Sequence, residues 1–335
     1  MTAAATVVPV IDITALRDGT DPSAVAAAIN AACRDTGFFC ISGHGINPAL
    51  LEALDTASRQ FFALPEATKA EVAMAHAGRA WRGWFALGGE VTSGVPDRKE
   101  GIYFGQELGG DDARVRAALP LHGPNLFPAQ IPELEYLVLA WLDALTQLGH
   151  TVMSGIALGL GLEPEWFRVN LTTDPTVLFR IFRYPVDGPG DWGVAQHTDY
   201  GLLTLLAQDD RGGLQVKARD GWVDVEPVPD TFVCNVGDML ERMSGGRYRS
   251  TLHRVRNSSS RERLSFPFFF DPSWNARVQP LPLATEPANA AAVDAEAGDI
   301  ADRWDGRSVF DFEGTYGEYL VGKVSKVFPD LVHVI

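Results

Sequence analysis

The sequence predicts a mainly β fold with flanking helices: a sandwich or jelly roll buttressed by an N-terminal helical layer. Three observations point there. From Thr176 onward, short β-branched or aromatic runs alternate with turn clusters: "TVLFRIFRYP", "HTDYGLLTLLA", "GLQVKA", "GWVDVEPV", "TFVCNVGD", "RYRSTLHRV" and "RLSFPFFF". Gly-Pro-Gly at 188–190, Asp-Asp-Arg-Gly-Gly at 209–213, Arg-Asp-Gly at 219–221 and Ser-Gly-Gly at 244–246 punctuate these runs. The first half carries helical periodicity instead. No repeat and no Gly/Ser linker divides the 335 residues. The chain therefore reads as one unit in three regions: an N-terminal α/β region over 1–170, a jelly-roll core over 171–280, and a lid loop with a C-terminal helix over 281–335.

Each element has a local reason. "VVPVIDI" has strand composition, and "DPSAVAAAINAACRDTG" reads as a helix with Asp21 as N-cap, Pro22 at its first position and Gly37 as its stop. "FFCIS" is a second strand, and "NPALLEALDTASRQFFAL" a second helix opening at Asn47-Pro48. A long helix spans Ile131–Leu160, where Leu134, Leu137, Val138, Trp141, Leu145 and Leu148 recur at helical spacing. The segment Ala284–Gly306 is rich in Ala and acids and reads as a solvated loop or lid.

Composition narrows the function. Hydrophobic content of 46% with 21% charged residues is that of a globular protein. A net charge of −15 argues against nucleic acid or an anionic membrane surface as the main partner, since both require clustered Lys and Arg. Cys33, Cys40 and Cys234 are an odd, sparse set without metal-finger spacing, as expected for a reducing cytoplasm. The N-terminus has no signal-peptide pattern. The apolar stretch Leu137–Leu142 is flanked by Glu135, Asp143 and His150, too short and polar to span a bilayer.

The chemistry concentrates in "QHTDYGLLTLL". On a strand, residues two apart share a face, so His197 and Asp199 project together and can serve one ion. Of the other histidines, His253 in "RSTLHRV" lies in the same β-rich region. Two imidazoles and one carboxylate on one side of an ion leave open positions opposite, the arrangement of a non-haem Fe(II) centre that activates oxygen. Alone, His253 would read as a satisfied core histidine. Ten residues on, Arg263 and Ser265 of "RLS" share a face. An arginine turned inward among "SFPFFF" needs an anion, and a carboxylate is its natural bidentate partner. A surface arginine on an edge strand is the plainer reading of that residue alone. Together a cation site and a carboxylate site fit a 2-oxo dicarboxylate, its keto-acid end on the metal and its far end on Arg263.

The motifs "HTDYGLLTLL", "GGLQV", "NVGDMLERMSGGRYRSTLHRV" and "RLSFPFFFDP" occur in the order of a known family, as do "VPVIDI", "GFFCISGHGI" and "RGWFALGGE…DRKEGIYFGQE". The chain resembles the iron- and 2-oxoglutarate-dependent dioxygenases of the isopenicillin N synthase-like branch, from about residue 7 to its end. The resemblance implies a distorted double-stranded β-helix (cupin-like) whose mouth holds Fe(II). It implies His197, Asp199 and His253 as metal ligands, Arg263 and Ser265 as the clamp for the distal carboxylate of 2-oxoglutarate, and Tyr184 of "RYP" as a further co-substrate contact. The implied reaction consumes O2 and 2-oxoglutarate, releases succinate and CO2, and oxidises a small molecule, by hydroxylation in the default case and by desaturation or ring closure in others.

Several positions depart from the pattern or stay open. Many plant members carry asparagine where this chain has Phe182, so the keto-acid end is expected to be held differently. Gly245-Gly246 replaces an Asn-Gly turn at little cost, since glycine tolerates positive φ. The charges of "DRKEG", Asp97–Gly101, read as a solvated surface, and His44 of "SGHGI" as structural. In "LFRIFRYP", Arg180, Phe182 and Tyr184 alternate onto one face and Arg183 onto the other. Arg180 and Phe182 are thus candidates for substrate contact, with Arg180 meeting a carboxylate, either the substrate's or the keto-acid end. A bulge turning Arg180 to solvent, or a structural acid paired with it, is the competing reading. At the level of function the competitors are a 2-oxoglutarate-independent Fe(II) oxidase resembling isopenicillin N synthase, a zinc hydrolase using the same three ligands, and a non-catalytic jelly-roll binding module. The oligomeric state is not readable.

Overall fold

The computed structural model describes residues 8–92, 94–186, 192–284 and 308–327. All of the proposed lid Ala284–Gly306 except its first residue lies outside them. Fourteen strands occur among the described residues: β1 (Val10–Asp12), β2 (Phe38–Ser42), β3 (Gly83–Phe85), β4 (Val91–Thr92), β5 (Val95–Pro96), β6 (Glu100–Gly105), β7 (Pro175–Tyr184), β8 (Val194–His197), β9 (Leu203–Gln208), β10 (Leu214–Ala218), β11 (Gly221–Val225), β12 (Phe232–Val236), β13 (His253–Val255) and β14 (Arg263–Ser273).

They form an eight-stranded sheet in the order β1-β2-β12-β9-β14-β7-β6-β3, a four-stranded sheet β11-β10-β13-β8, and the small hairpin β4-β5. The two larger sheets are the faces of the jelly roll expected from the strand-and-turn pattern. β14 lies mid-sheet, antiparallel to both β7 and β9. Its eleven residues are almost all buried, which fits a strand covered on both faces.

The helices form where capping and periodicity place them. Asn47 accepts a hydrogen bond from Ala49 N and opens the Pro48–Ala63 helix. Asp21 Oδ1 accepts from Ser23 N at the start of the Ser23–Asp35 helix, and Gly37 ends it at φ +69°. The Glu133–Gly159 helix lays Leu134, Val138, Trp141, Leu145 and Val152, all fully buried, against the large sheet. A Cβ at Gly149 would lie 2.5 Å from Phe270 Cδ2, so glycine is what lets this helix approach β14. Truncating a fully buried Trp141 would cost about 3–5 kcal/mol.

The N-terminal α/β region adds β1, β2, β3 and β6 to the large sheet on both sides, beside its helices. Two expectations need correcting. His197 and Asp199 do not share a strand: β8 ends at His197, and Asp199 lies in the loop before β9. The strand over "RYRSTLHRV" is only His253–Val255, since the preceding chain is occupied in the turn after the Asp238–Met243 helix. Gly245 and Gly246 in that turn do take positive φ, 64° and 75°.

Candidate active site

The end of β8 and the start of β13 meet in register, so His197 and His253 stand opposite each other. Asp199 Oδ1 lies 3.8 Å from His197 Nε2 and 3.7 Å from His253 Nε2. One ligand atom from each residue falls within 4.8 Å of the others, and among the described residues this is the one such cluster that could hold a metal ion. The loop geometry replaces the strand-face argument and reaches the same convergence.

The surroundings point these atoms at a common centre. His197 Nδ1 is 2.8 Å from Ala195 O, and His253 Nδ1 is 3.1 Å from Thr251 O. A carbonyl only accepts, so each Nδ1 carries the proton and each Nε2 keeps its lone pair for a cation. Asp199 Oδ2 accepts from Thr204 Oγ1 at 2.5 Å and Asn235 Nδ2 at 2.7 Å, which leaves Oδ1 for the ion. Burial, then the neighbouring His253, push the His197 imidazole down to about 3. Burial works to raise Asp199, but His253, His197 and the donors Asn235 and Thr204 outweigh it and hold the carboxyl below its usual range. Neutral imidazoles and an ionised carboxylate are the protonation states a divalent cation requires. The donor set fits a two-histidine, one-carboxylate iron site.

A cavity of about 100 Å³ opens beside the triad and is also lined by Tyr184, Arg263 and Ser265. Arg263 is 0% exposed. Its Nε donates to Gly212 O at 2.7 Å and Nη2 to Gln208 Oε1 at 3.1 Å, while Nη1 has no partner among the described residues. No described acidic side chain pairs with it. A fully buried guanidinium with a spare donor and no counter-charge is a strong demand for an anion. Register places Arg263 opposite Tyr184 and Ser265 opposite Phe182, and Ser265 Oγ donates to Tyr184 Oη at 3.3 Å. A carboxylate on Arg263 would thus find two hydroxyls beside it.

Arg180 faces the cavity and also has an acid. Its Nη1 is 3.6 Å from Glu90 Oε1, and its guanidinium lies between the rings of Tyr103 and Phe269, 4.2 and 4.8 Å from their centroids. Its Nε is buried without a partner among the described residues. Arg180 thus pairs with a structural acid and also lines the cavity. Arg183 takes the other face, bound to Glu100 at 2.6 Å and Glu262 at 2.7 Å. His44 is structural, its Nε2 3.1 Å from Asp230 O.

The "DRKEG" reading is overturned. Asp97 and Lys99 are each 2% exposed, and Glu100 is buried too. Lys99 Nζ reaches Asp97 Oδ2 at 2.5 Å and Glu90 Oε2 at 2.9 Å, and Glu100 holds Lys69 at 2.7 Å. Buried ions survive only in such mutual pairing, and two of the partners, Glu90 and Lys69, lie outside the motif. Burial favours a neutral Glu90, but Lys99, Arg180 and the donor Tyr103 keep its carboxyl below the usual range. Glu90, Lys99, Tyr200 and Asp271 all line the cavity and were missed as site residues. The alternation "KEGIYFG", with Lys99 and Tyr103 on one face, was the signal available.

Known proteins resemble this chain over most of its length. Residues 8–130 match the family model of the non-haem dioxygenase in morphine synthesis N-terminal region, and residues 175–272 that of the 2OG-Fe(II) oxygenase superfamily. A "Probable iron/ascorbate oxidoreductase" of Dictyostelium discoideum is 45% identical, over 92% of this chain and 90% of its own. A homoarginine-6-hydroxylase of Glycine max is 36% identical, over 97% and 98%. The crystal structure of a full-length Neurospora crassa protein in complex with alpha-KG and thymine superposes with a TM-score of 0.78 at 28% identity, covering 97% of this chain and 98% of that one. Among the described residues no helix is long and apolar enough to cross a membrane.

Proposed function

The chain belongs to the 2OG-Fe(II) oxygenase superfamily, as an Fe(II)- and 2-oxoglutarate-dependent oxidoreductase, and from that membership we propose that it hydroxylates a small, polar, amino-acid-like substrate. We assign His197, Asp199 and His253 as the iron ligands, and Arg263, Ser265 and Tyr184 as the clamp for the far carboxylate of 2-oxoglutarate. The observation that carries this reading is the triad and the spare Nη1 of Arg263 in the walls of one cavity. 2-Oxoglutarate has the matching ends, a chelating keto acid and a free carboxylate.

Iron, when bound, supplies the coupling of 2-oxoglutarate decarboxylation to oxidation of a substrate C–H bond. The work of the protein is placement. The carbonyls of Ala195 and Thr251 fix the histidine tautomers, and Thr204 with Asn235 fixes the carboxylate. Phe38 packs edge-on against His253, with centroids 5.3 Å apart, and Leu206, Val255 and Pro267 complete an apolar wall that excludes water.

The substrate class follows from Arg180 and Glu90 on the cavity wall. A guanidinium with a free Nε suits a substrate carboxylate, and an acid beside it suits an ammonium or guanidinium group. The relative named as a homoarginine hydroxylase supports an amino acid. The test is succinate formation from 2-oxoglutarate by the iron-loaded protein, with homoarginine, arginine and thymine as trial substrates. Stimulation by the amino acids is expected. Stimulation by thymine alone would replace the amino-acid reading. Oxygen uptake independent of 2-oxoglutarate would favour the oxidase alternative.

A further inference from the structure

The cavity wall that carries the triad and Arg263 contains another cation. Lys99 lines the cavity together with His197, Tyr184 and Arg263. Its Nζ lies 4.6 Å from the centroid of the Phe182 ring. Phe182 is the middle residue of the inward row Arg180, Phe182, Tyr184 on β7 and pairs with Ser265 of β14.

An ammonium has three N–H donors. Asp97 takes one of them, and Glu90 pairs with the charge at 2.9 Å, so that the two acids hold Nζ in place. Donor capacity remains beside the Phe182 ring, in the wall of the cavity. A 2-oxo acid that chelates a cation commits one oxygen of its carboxylate to the ion and leaves the other in need of a donor. Phe182 offers none. Lys99, next to it, does.

We propose that Lys99 is a co-substrate-binding residue, donating an N–H that Asp97 does not take to the carboxylate adjoining the keto group of 2-oxoglutarate while Arg263 takes the distant one. This rests on the reading of the triad and Arg263 as the two ends of that site. The buried acids Asp97 and Glu90 are then what orients the donor.

Binding of 2-oxoglutarate and of succinate to the Mn(II)-loaded protein, measured by calorimetry, tests it, since succinate keeps a carboxylate for Arg263 but lacks the keto-acid end. Lys99→Met should weaken 2-oxoglutarate by at least about tenfold, the loss of one charge-assisted hydrogen bond, and leave succinate unchanged. Because Lys99→Met strands two acids, the double variant Lys99→Met/Asp97→Asn is measured beside it and should show the same selective loss. A wild-type ratio of the two affinities in both variants, whether both ligands weaken or neither does, overturns the proposal. Arg263→Ala should weaken both ligands. If it weakens neither, the reading of Arg263 falls, and the role of Lys99 falls with it.

Discussion

His197 and His253 face each other across the β8–β13 pair with ring centroids 4.2 Å apart. Two imidazoles at that separation repel when protonated, so the pair is poised to receive a cation from outside. Removing one partner should show this directly. His253→Ala should abolish the rise in Tm that Fe(II) or Mn(II) gives the wild type, while the metal-free fold persists by circular dichroism. A wild-type metal shift in the variant would remove His253 from the ligand set.

Metal-free protein should lose stability as the pH falls. His197 titrates at about 3 in the folded state against 6.5 when unperturbed. The unfolded chain therefore binds the proton first, and the stability present above 6.5 is lost progressively down to about 3. Thermal melts of His197→Asn should show a shallower slope across that range. An identical slope would mean that another group controls it.

Asp271 should act with the opposite sign. Burial raises its carboxyl to about 7 from 3.8, against the hydrogen bonds from Tyr316 and Leu202 N. The folded state holds this proton more tightly, so the stabilisation is complete below 3.8 and is lost as pH rises through about 7. Asp271→Asn should therefore raise Tm relative to wild type more at alkaline than at acidic pH. An equal offset across the range would refute this.

Arg263→Ala should raise the 2-oxoglutarate requirement far more than tenfold with the iron content retained. Truncating one partner of a desolvated charge pair costs about 2–5 kcal/mol. Unchanged 2-oxoglutarate dependence would show that the carboxylate lies elsewhere.

Arg180→Ala should raise the substrate KM and leave the co-substrate KM unchanged, the signature of lost ground-state binding. Arg183→Ala is the control from the opposite face. It should leave both constants alone and lower Tm, since Glu100 would lose one of its two cations. Kinetics of Arg180→Ala equal to wild type would make the Arg180–Glu90 pair purely structural.

Legibility followed sequence distance. The elements with local causes, such as the Asn47 cap, the Gly37 stop and the apolar stripe of the Glu133–Gly159 helix, were readable because their partners lie within a few residues. The triad was readable because a His-x-Asp pair and a third histidine occupied one β-rich region, although Asp199 turned out to sit past the end of its strand. Arg263 was readable from its apolar neighbours. The Lys99 cluster was not. Its charges look solvated because the acid that compensates Lys99 across the β4–β5 hairpin, Glu90, and the lysine that compensates Glu100, Lys69, belong to other stretches of the chain. Asp97 alone, within the same motif, pairs with Lys99 but does not reveal that either charge is buried.

The strand order has a consequence for anyone who would dissect the protein. The strands β12, β9, β14 and β7 are flanked by β2 on one side and β6 on the other. A fragment beginning near residue 171 would expose both sides of that block as unpaired backbone, a template for intermolecular pairing. It would be expected to self-associate as filaments or precipitate instead of serving as a minimal catalytic module. The N-terminal strands thus shield both edges of the block in the half that carries the triad.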